Sequence, residues 1–193
     1  MIVTDFVMRG GKNLSLYAAS YALNSESYVS FEYALSYHHL FDQMLKGMQA
    51  VTWCRGRKYN VLGSRVEFSS INKELYFGFE KVNENGMVFN VASAEKAFLD
   101  ILYFKNETYY LSLLWDIIKS RESKMDEKIL SEYAARYGDF MVKKTGFLLD
   151  RVSIDTGELY NNMRKNKNYV RLSQGADTFD SKWRVYYDDK IID

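Results

Sequence analysis

The sequence predicts an α+β fold: a mixed, mostly antiparallel sheet with helices packed against it. Three observations predict it. Helical stripes occupy the start and the middle of the chain. Runs rich in Val, Phe, Tyr and Trp cluster between and after them. These runs are grouped, whereas a doubly wound sheet would alternate them with helices. The 193 residues fit one domain at ~150 residues per domain, and a chain of this size buries roughly 70% of its unfolded surface. The expectation is a single compact unit over residues 1–193, with residues 1–13 flexible.

The elements follow in order. Leu14, Tyr17, Ala18, Tyr21 and Ala22 recur at the spacing of one helical face. Ser30 is placed to cap a short helix carrying Phe31, Ala34, Leu35 and His38. Gln49–Cys54, Ser64–Ser69, Glu74–Phe79 and Met87–Val91 read as strands, punctuated by Gly, Asn and Ser. Ala94, Ala97, Phe98, Ile101 and Leu102 form the clearest helical stripe, with Ser93 as N-cap and Glu95 in the first turn, where the helix dipole favours an anion. Tyr110, Leu113, Leu114, Ile117 and Ile118 make the next stripe. Asp126 caps a third, with Ile129, Leu130, Tyr133 and Tyr137, which Gly138 interrupts before a helix over Asp139 to Leu149. Asp155 with Glu158 resembles a capping box. Tyr169–Ser173 and Lys182–Tyr187 alternate like strands, and Ser120–Lys128 reads as an exposed connection.

Composition excludes several classes. Lys and Arg number 26 against 25 Asp and Glu, a net charge of +1, so no global field draws the chain to nucleic acid or membrane. With no proline there is no PxxP ligand and no proline-stiffened linker. Cys54 is the only cysteine, which rules out an internal disulfide and, with His38 and His39, makes a poor zinc set. No stretch approaches ~18 continuous apolar residues, and Met1 to Gly11 lacks a signal-peptide core. A soluble protein in the cytoplasm is the expectation, with no cofactor and no metal.

Catalytic signatures are missing: there is no GxSxG, P-loop, GxGxxG or HExxH. Glu95, Lys96 and Asp100 bring carboxylates and a lysine together, as metal-dependent nucleases do. Glu95 and Lys96 are consecutive on a helix, however, and Lys96 and Asp100 at i, i+4 are expected to pair across its solvent face. Ser93, Glu95, Lys96 and Asp100 are therefore read as structural. Positive charge clusters locally instead. Arg55, Arg57, Lys58 and Arg65 lie in an acid-free stretch with Trp53 and Tyr59. Arg164, Lys165, Lys167 and Arg171 form a second, around Tyr169, and Lys143 with Lys144 a third. Acid-free basic segments with aromatic residues are candidates for nucleic acid or another acidic partner.

Four segments carry a resemblance. Ser27 to Leu40 (SYVSFEYALSYHHL), Val91 to Asp100 (VASAEKAFLD), Arg136 to Asp150 with its GFLL end, and Lys182 to Val185 (KWRV) resemble, in order, segments of the AbiEi abortive-infection antitoxin family. The EKAFLD element is the most specific of them. The resemblance runs from about Leu14 to Tyr187. It implies the antitoxin half of a type IV toxin–antitoxin system, used in phage defence, whose partner is a nucleotidyltransferase-like toxin. It also implies autoregulatory DNA binding, which family members perform with an amino-terminal winged helix-turn-helix. Too few residues precede the first matching helix for that domain, so no separate winged helix is expected here. Ala94 stands where the family has proline, a small loss because alanine is a good helix former. The alternatives from the residues alone are a DNA-binding regulator acting through a basic surface and, less favoured, a degenerate metal nuclease.

Overall fold

The computed structural model describes residues 16–61, 63–84, 86–120 and 125–192. The expectations for residues 1–13, for Leu14 and for the centre of the 120–128 connection lie outside them. The fold is α+β. The chain divides into two compact units, residues 1–97 and 98–193, each described by itself.

The first unit contains α1 (Leu16–Leu23), β1 (Ser27–Val29), α2 (Phe31–Tyr37), β2 (Met48–Thr52), β3 (Lys58–Val61), β4 (Ser64–Ser70), a 3-10 turn at Lys73–Leu75, β5 (Phe79–Glu84) and β6 (Met87–Ala92). The division from the second unit falls inside α3 (Ala94–Phe104). No polar linker marks that boundary, which explains why composition alone reads a single unit.

The sheet order is β3-β4-β2-β1-β6-β5. Its hairpins are antiparallel, while β2 runs parallel to β4 and β1 parallel to β6. β1 is the narrow centre. It matches three residues of β2, Ser27 opposite Thr52 through Val29 opposite Ala50, but meets β6 only at Val29 opposite Val91. The buried Asn90 amide donates to the Ser27 carbonyl at 2.8 Å and reinforces that seam. Gly47 enters β2 at φ 91°, where a Cβ would sit 2.4 Å from the Arg65 carbonyl oxygen, so the approach of backbone to backbone requires glycine there. Tyr28 stacks on Phe79 at 4.8 Å and 12°, and Phe31, Leu35, Val51, Val66 and Val91 fill the buried interior.

One strand reading is corrected, and two strands of the first unit escape the sequence reading. Glu74–Phe79 is mostly not a strand: Asn72 Oδ1 accepts from the Glu74 amide and starts the 3-10 turn, so pairing begins only at Phe79. β1 and β3 are too short to show a period of two. Ser30 does stand at the N-cap of α2, without a side-chain capping bond.

The second unit holds α4 (Thr108–Lys119), α5 (Glu127–Tyr137), α6 (Asp139–Arg151), α7 (Gly157–Asn162) and a three-stranded sheet of order β7-β9-β8 from Val170–Arg171, Val185–Tyr187 and Thr178–Asp180. Asp126 Oδ1 caps α5 through the Lys128 and Ile129 amides. Gly138, at φ 103°, separates α5 from α6. α6 is buried from Met141 to Lys143 and from Thr145 to Leu149. Gly146 faces the Trp183 ring so closely that a Cβ would lie 2.2 Å from it. Asp155 forms no capping box. Its carboxylate accepts from the Gly157 amide at 2.9 Å, in a turn that precedes the helix. The buried face of α4 is turned slightly from the expected stripe, to Leu111, Leu114, Trp115, Ile117 and Ile118.

Candidate functional site

The structure treats the three predicted basic clusters differently. In the first unit, Arg55 and Arg57 are exposed on the connection from β2 to β3. Gly56 between them lies against β4, where a Cβ would meet the Phe68 carbonyl oxygen at 2.7 Å, and the Phe68 amide donates to the Arg57 carbonyl. The two arginines thus project from a backbone pinned to the sheet. Cys54, Arg55, Arg57, Tyr59 and Phe68 line a hollow of about 190 Å³. Exposed Trp53 donates its indole N–H to Glu26 and lies 4.7 Å under the Lys73 ammonium.

Lys58 and Arg65 are less available. Register places Lys58 opposite Glu67, and Lys58 and Arg65 each reach that carboxylate at 2.9 Å. Partial burial pushes the Glu67 carboxyl up, but its two cations outweigh that and hold it below the ordinary range. The acid-free stretch is real in sequence and ends two residues short of the acid that the hairpin folds back onto it.

Lys143 and Lys144 are corrected outright. Lys143 is fully buried and donates to Asp139 and Asn166 Oδ1 and to the Asn168 carbonyl, at 2.9, 3.0 and 2.9 Å. Burial raises the Asp139 carboxyl, and the bonds from Lys143, the Arg164 amide and Asn166 more than reverse it, leaving it below the usual range. Lys144 donates to the Leu102 carbonyl in the last turn of α3, and burial lowers its pKa to about 8. Lys143 is an internal strut of α6 and Lys144 is half-buried, so neither is an exposed cation.

The second stretch keeps its exposed charge. Arg164, Lys165, Lys167 and Arg171 are exposed. An open hollow of about 560 Å³ takes in Phe140, Arg164, Asn166, Lys167 and Tyr169. Arg171 lies 4.4 Å over the Tyr186 ring and donates to the Ala176 carbonyl. Sequence reasoning missed Phe179, because β8 is three residues long and shows no alternation, and it placed Tyr186 in the Lys182–Tyr187 strand without singling it out.

The EKAFLD helix is also corrected. Ser93 Oγ accepts from the Lys96 amide at 3.2 Å, as an N-cap does. Lys96 and Asp100, however, do not face solvent: both are 0% exposed, and Glu95 is 7% exposed. The stripe of Ala97, Phe98, Ile101 and Leu102 suggests a helix with one wet face, but α3 is covered on its polar face too. Lys96 sits 5.2 Å from the Tyr28 ring and 5.1 Å from the Phe77 ring. Asp100 accepts a hydrogen bond from Tyr137. Burial at this depth removes Glu95 and Lys96 from contact with a phosphodiester. His38 Nε2 lies 2.7 Å from the Ala92 carbonyl while His39 is exposed. Among the described residues no three His, Cys, Asp or Glu side chains are grouped to hold a metal, and no helix is long and apolar enough to cross a membrane.

No family model and no curated protein matches the chain. Among solved structures, the chain is similar to the RV2827C protein from Mycobacterium tuberculosis, with a TM-score of 0.63 at 10% identity. That similarity covers 91% of this chain and 69% of the other. At such low identity it establishes a shared fold.

Proposed function

We propose that this chain is an antitoxin-like protein of a type IV toxin–antitoxin system, similar to the AbiEi family, that counters a nucleotidyltransferase-like toxin in the cytoplasm without catalysing a reaction. One observation carries the reading. Within each unit, segments of the resemblance pack on one another, the Val91–Asp100 segment running across the division. In the first, Val29 pairs with Val91 and His38 reaches the Ala92 carbonyl. In the second, Gly146 seats the Trp183 ring, and Asp150 accepts from the Trp183 indole and from Lys182. Segments that pack on each other make a signature of the fold's interior, and buried Glu95, Lys96 and Asp100 belong to the same interior. Such residues are scaffold, and function is carried by the surface that the scaffold presents.

The exposed cations supply the contact surface: Arg55 and Arg57 in the first unit, and Arg164, Lys165, Lys167 and Arg171 in the second. They also favour a second reading, a DNA-binding regulator. Its sign is duplex affinity that falls with salt at a log–log slope of about −0.9 per phosphate neutralised.

The test of the antitoxin reading is co-expression with a nucleotidyltransferase-like protein encoded beside it. The chain is expected to restore growth. A toxic neighbour that the intact, folded chain leaves toxic would overturn the reading.

A further inference from the structure

The small sheet of the second unit presents a row of aromatic rings beside Arg164, Lys165, Lys167 and Arg171, and the antitoxin reading uses those cations but not the rings. The register sets Arg171 opposite Tyr186 and Tyr186 opposite Phe179, one row across all three strands. The alternate row, Val170 opposite Val185, points the other way, and Val185 and Tyr187 are buried, the latter 4.8 Å from the Phe147 ring of α6. The outward row continues at both ends. Tyr169 packs on Tyr186 at 5.2 Å and Phe179 on its other side at 4.9 Å. Tyr169 is 57% exposed and Phe179 41%. Large rings this exposed on a sheet of three short strands gain little by burial and are free to stack on something else.

The cations around them are fixed. Arg171 lies over Tyr186, and Arg184 lies 5.8 Å from Phe179. Arg184 also donates to the Lys167 and Asn168 carbonyls at 2.6 and 3.3 Å, tying the segment before Tyr169 to β9. Arg164, Lys165 and Lys167 follow along the adjoining segment. Asp139 is paired with Lys143, and Asp180 accepts from the Trp183 amide. A row of exposed rings bordered by exposed cations is complementary to a flexible polyanion with exposed aromatic faces.

We propose that this face binds single-stranded nucleic acid, with bases stacking on Tyr169 and Phe179 and phosphates following Arg171, Arg184 and the 164–167 cations. Sheet platforms that use aromatic rings in this way accept bases of any identity, because every base has a π-face. A duplex keeps its bases stacked inside and offers nothing to the rings. The proposal shares these cations with the antitoxin reading but rests on the rings, so growth rescue tests that reading and direct single-strand binding tests this one.

The test is fluorescence anisotropy of the full chain with a labelled short oligothymidylate, its oligouridylate counterpart and a duplex of mixed sequence, at ~50 mM salt and above. Single strands are expected to bind more tightly than the duplex, with a log–log salt slope of about −0.7 per phosphate. Tyr169→Ala and Phe179→Ala are each expected to weaken single-strand binding by about fivefold to a hundredfold, the loss of one base–ring stack. Tyr169→Phe should retain it, since stacking needs the ring and not the hydroxyl. Phe179→Trp adds an exposed indole whose emission a stacked base quenches. Absence of single-strand binding at ~50 mM salt, tighter duplex binding, or undiminished affinity in folded Tyr169→Ala and Phe179→Ala each overturns the proposal.

Discussion

Tyr137 of α5 donates its phenolic proton to the Asp100 carboxylate of α3, with both side chains out of solvent. A carboxylate at that depth depends on its donors, because an unsatisfied buried charge is expensive. Tyr137→Phe keeps the ring and removes the donor. It is expected to destabilise the protein by about 2–3 kcal/mol in urea denaturation. Burial first, and then the neighbouring Asp100 charge, push the Tyr137 phenol far above its usual value. A raised phenol contributes stability that is full below the unfolded value of 10.0 and is lost as pH climbs past it. Absorbance titration should therefore show one fewer ionising tyrosine in Tyr137→Phe than in the wild type only once both are unfolded, and no difference between the folded proteins near pH ~10.

Gly146→Ala sets two effects against each other. Alanine is better than glycine inside a helix by about 1 kcal/mol. The new methyl would meet Trp183 at 2.2, 2.3 and 2.7 Å, against a ring that is 0% exposed and held through its indole by Asp150. Overpacking of this kind costs about 1–3 kcal/mol or more, so the clash wins. Net destabilisation is expected in denaturation curves, with a changed near-UV circular dichroism signal from Trp183.

Lys144 gives a pH dependence of opposite sign to that of Tyr137. Its pKa is lowered from 10.5 to about 8 by burial, so the unfolded chain holds the proton where the folded one has released it. Stability should rise between about pH 8 and pH 10, by on the order of 2–3 kcal/mol. In Lys144→Met that rise should vanish. Thermal melts at stepped pH read it directly, and a flat wild-type profile over that interval contradicts it.

Glu67→Gln releases Lys58 and Arg65 from their shared carboxylate. Both cations are 61% exposed, so the change in stability should stay below about 1 kcal/mol. Salt-dependent binding of a polyanion such as heparin to the first unit's cations should tighten. Unchanged affinity would remove Lys58 and Arg65 from that surface.

How much of this was legible in the sequence depended on what each element had to reveal. The helices declared themselves where apolar spacing was long enough, as in α3 and α5, and the caps at Ser93 and Asp126 were readable because they act over two or three residues. β1, β3 and β8 were not, since three or four residues carry no period. Charge was harder still. Lys143 and Arg164 look alike in sequence, yet one is enclosed by Asp139, Asn166 and Asn168 and the other is exposed. Lys96 and Asp100 look like a solvent-facing pair because a helix pattern reports its apolar side and says nothing of what covers the other. The Tyr169, Tyr186 and Phe179 row exists only after strands distant in sequence come into register.

The narrowness of β1 has a dynamic consequence. A three-residue strand joined to β6 at one matched position makes the large sheet two well-knit ladders sewn along a short hem. Amides within the β3-β4-β2 and β5-β6 ladders should exchange with solvent deuterium in two separate groups. Native proteins commonly open in such contiguous cooperative blocks. The hem at Val29 and Val91 is where the sheet would part first, and Asn90, gripping the Ser27 carbonyl from the far ladder, is the stitch that delays it.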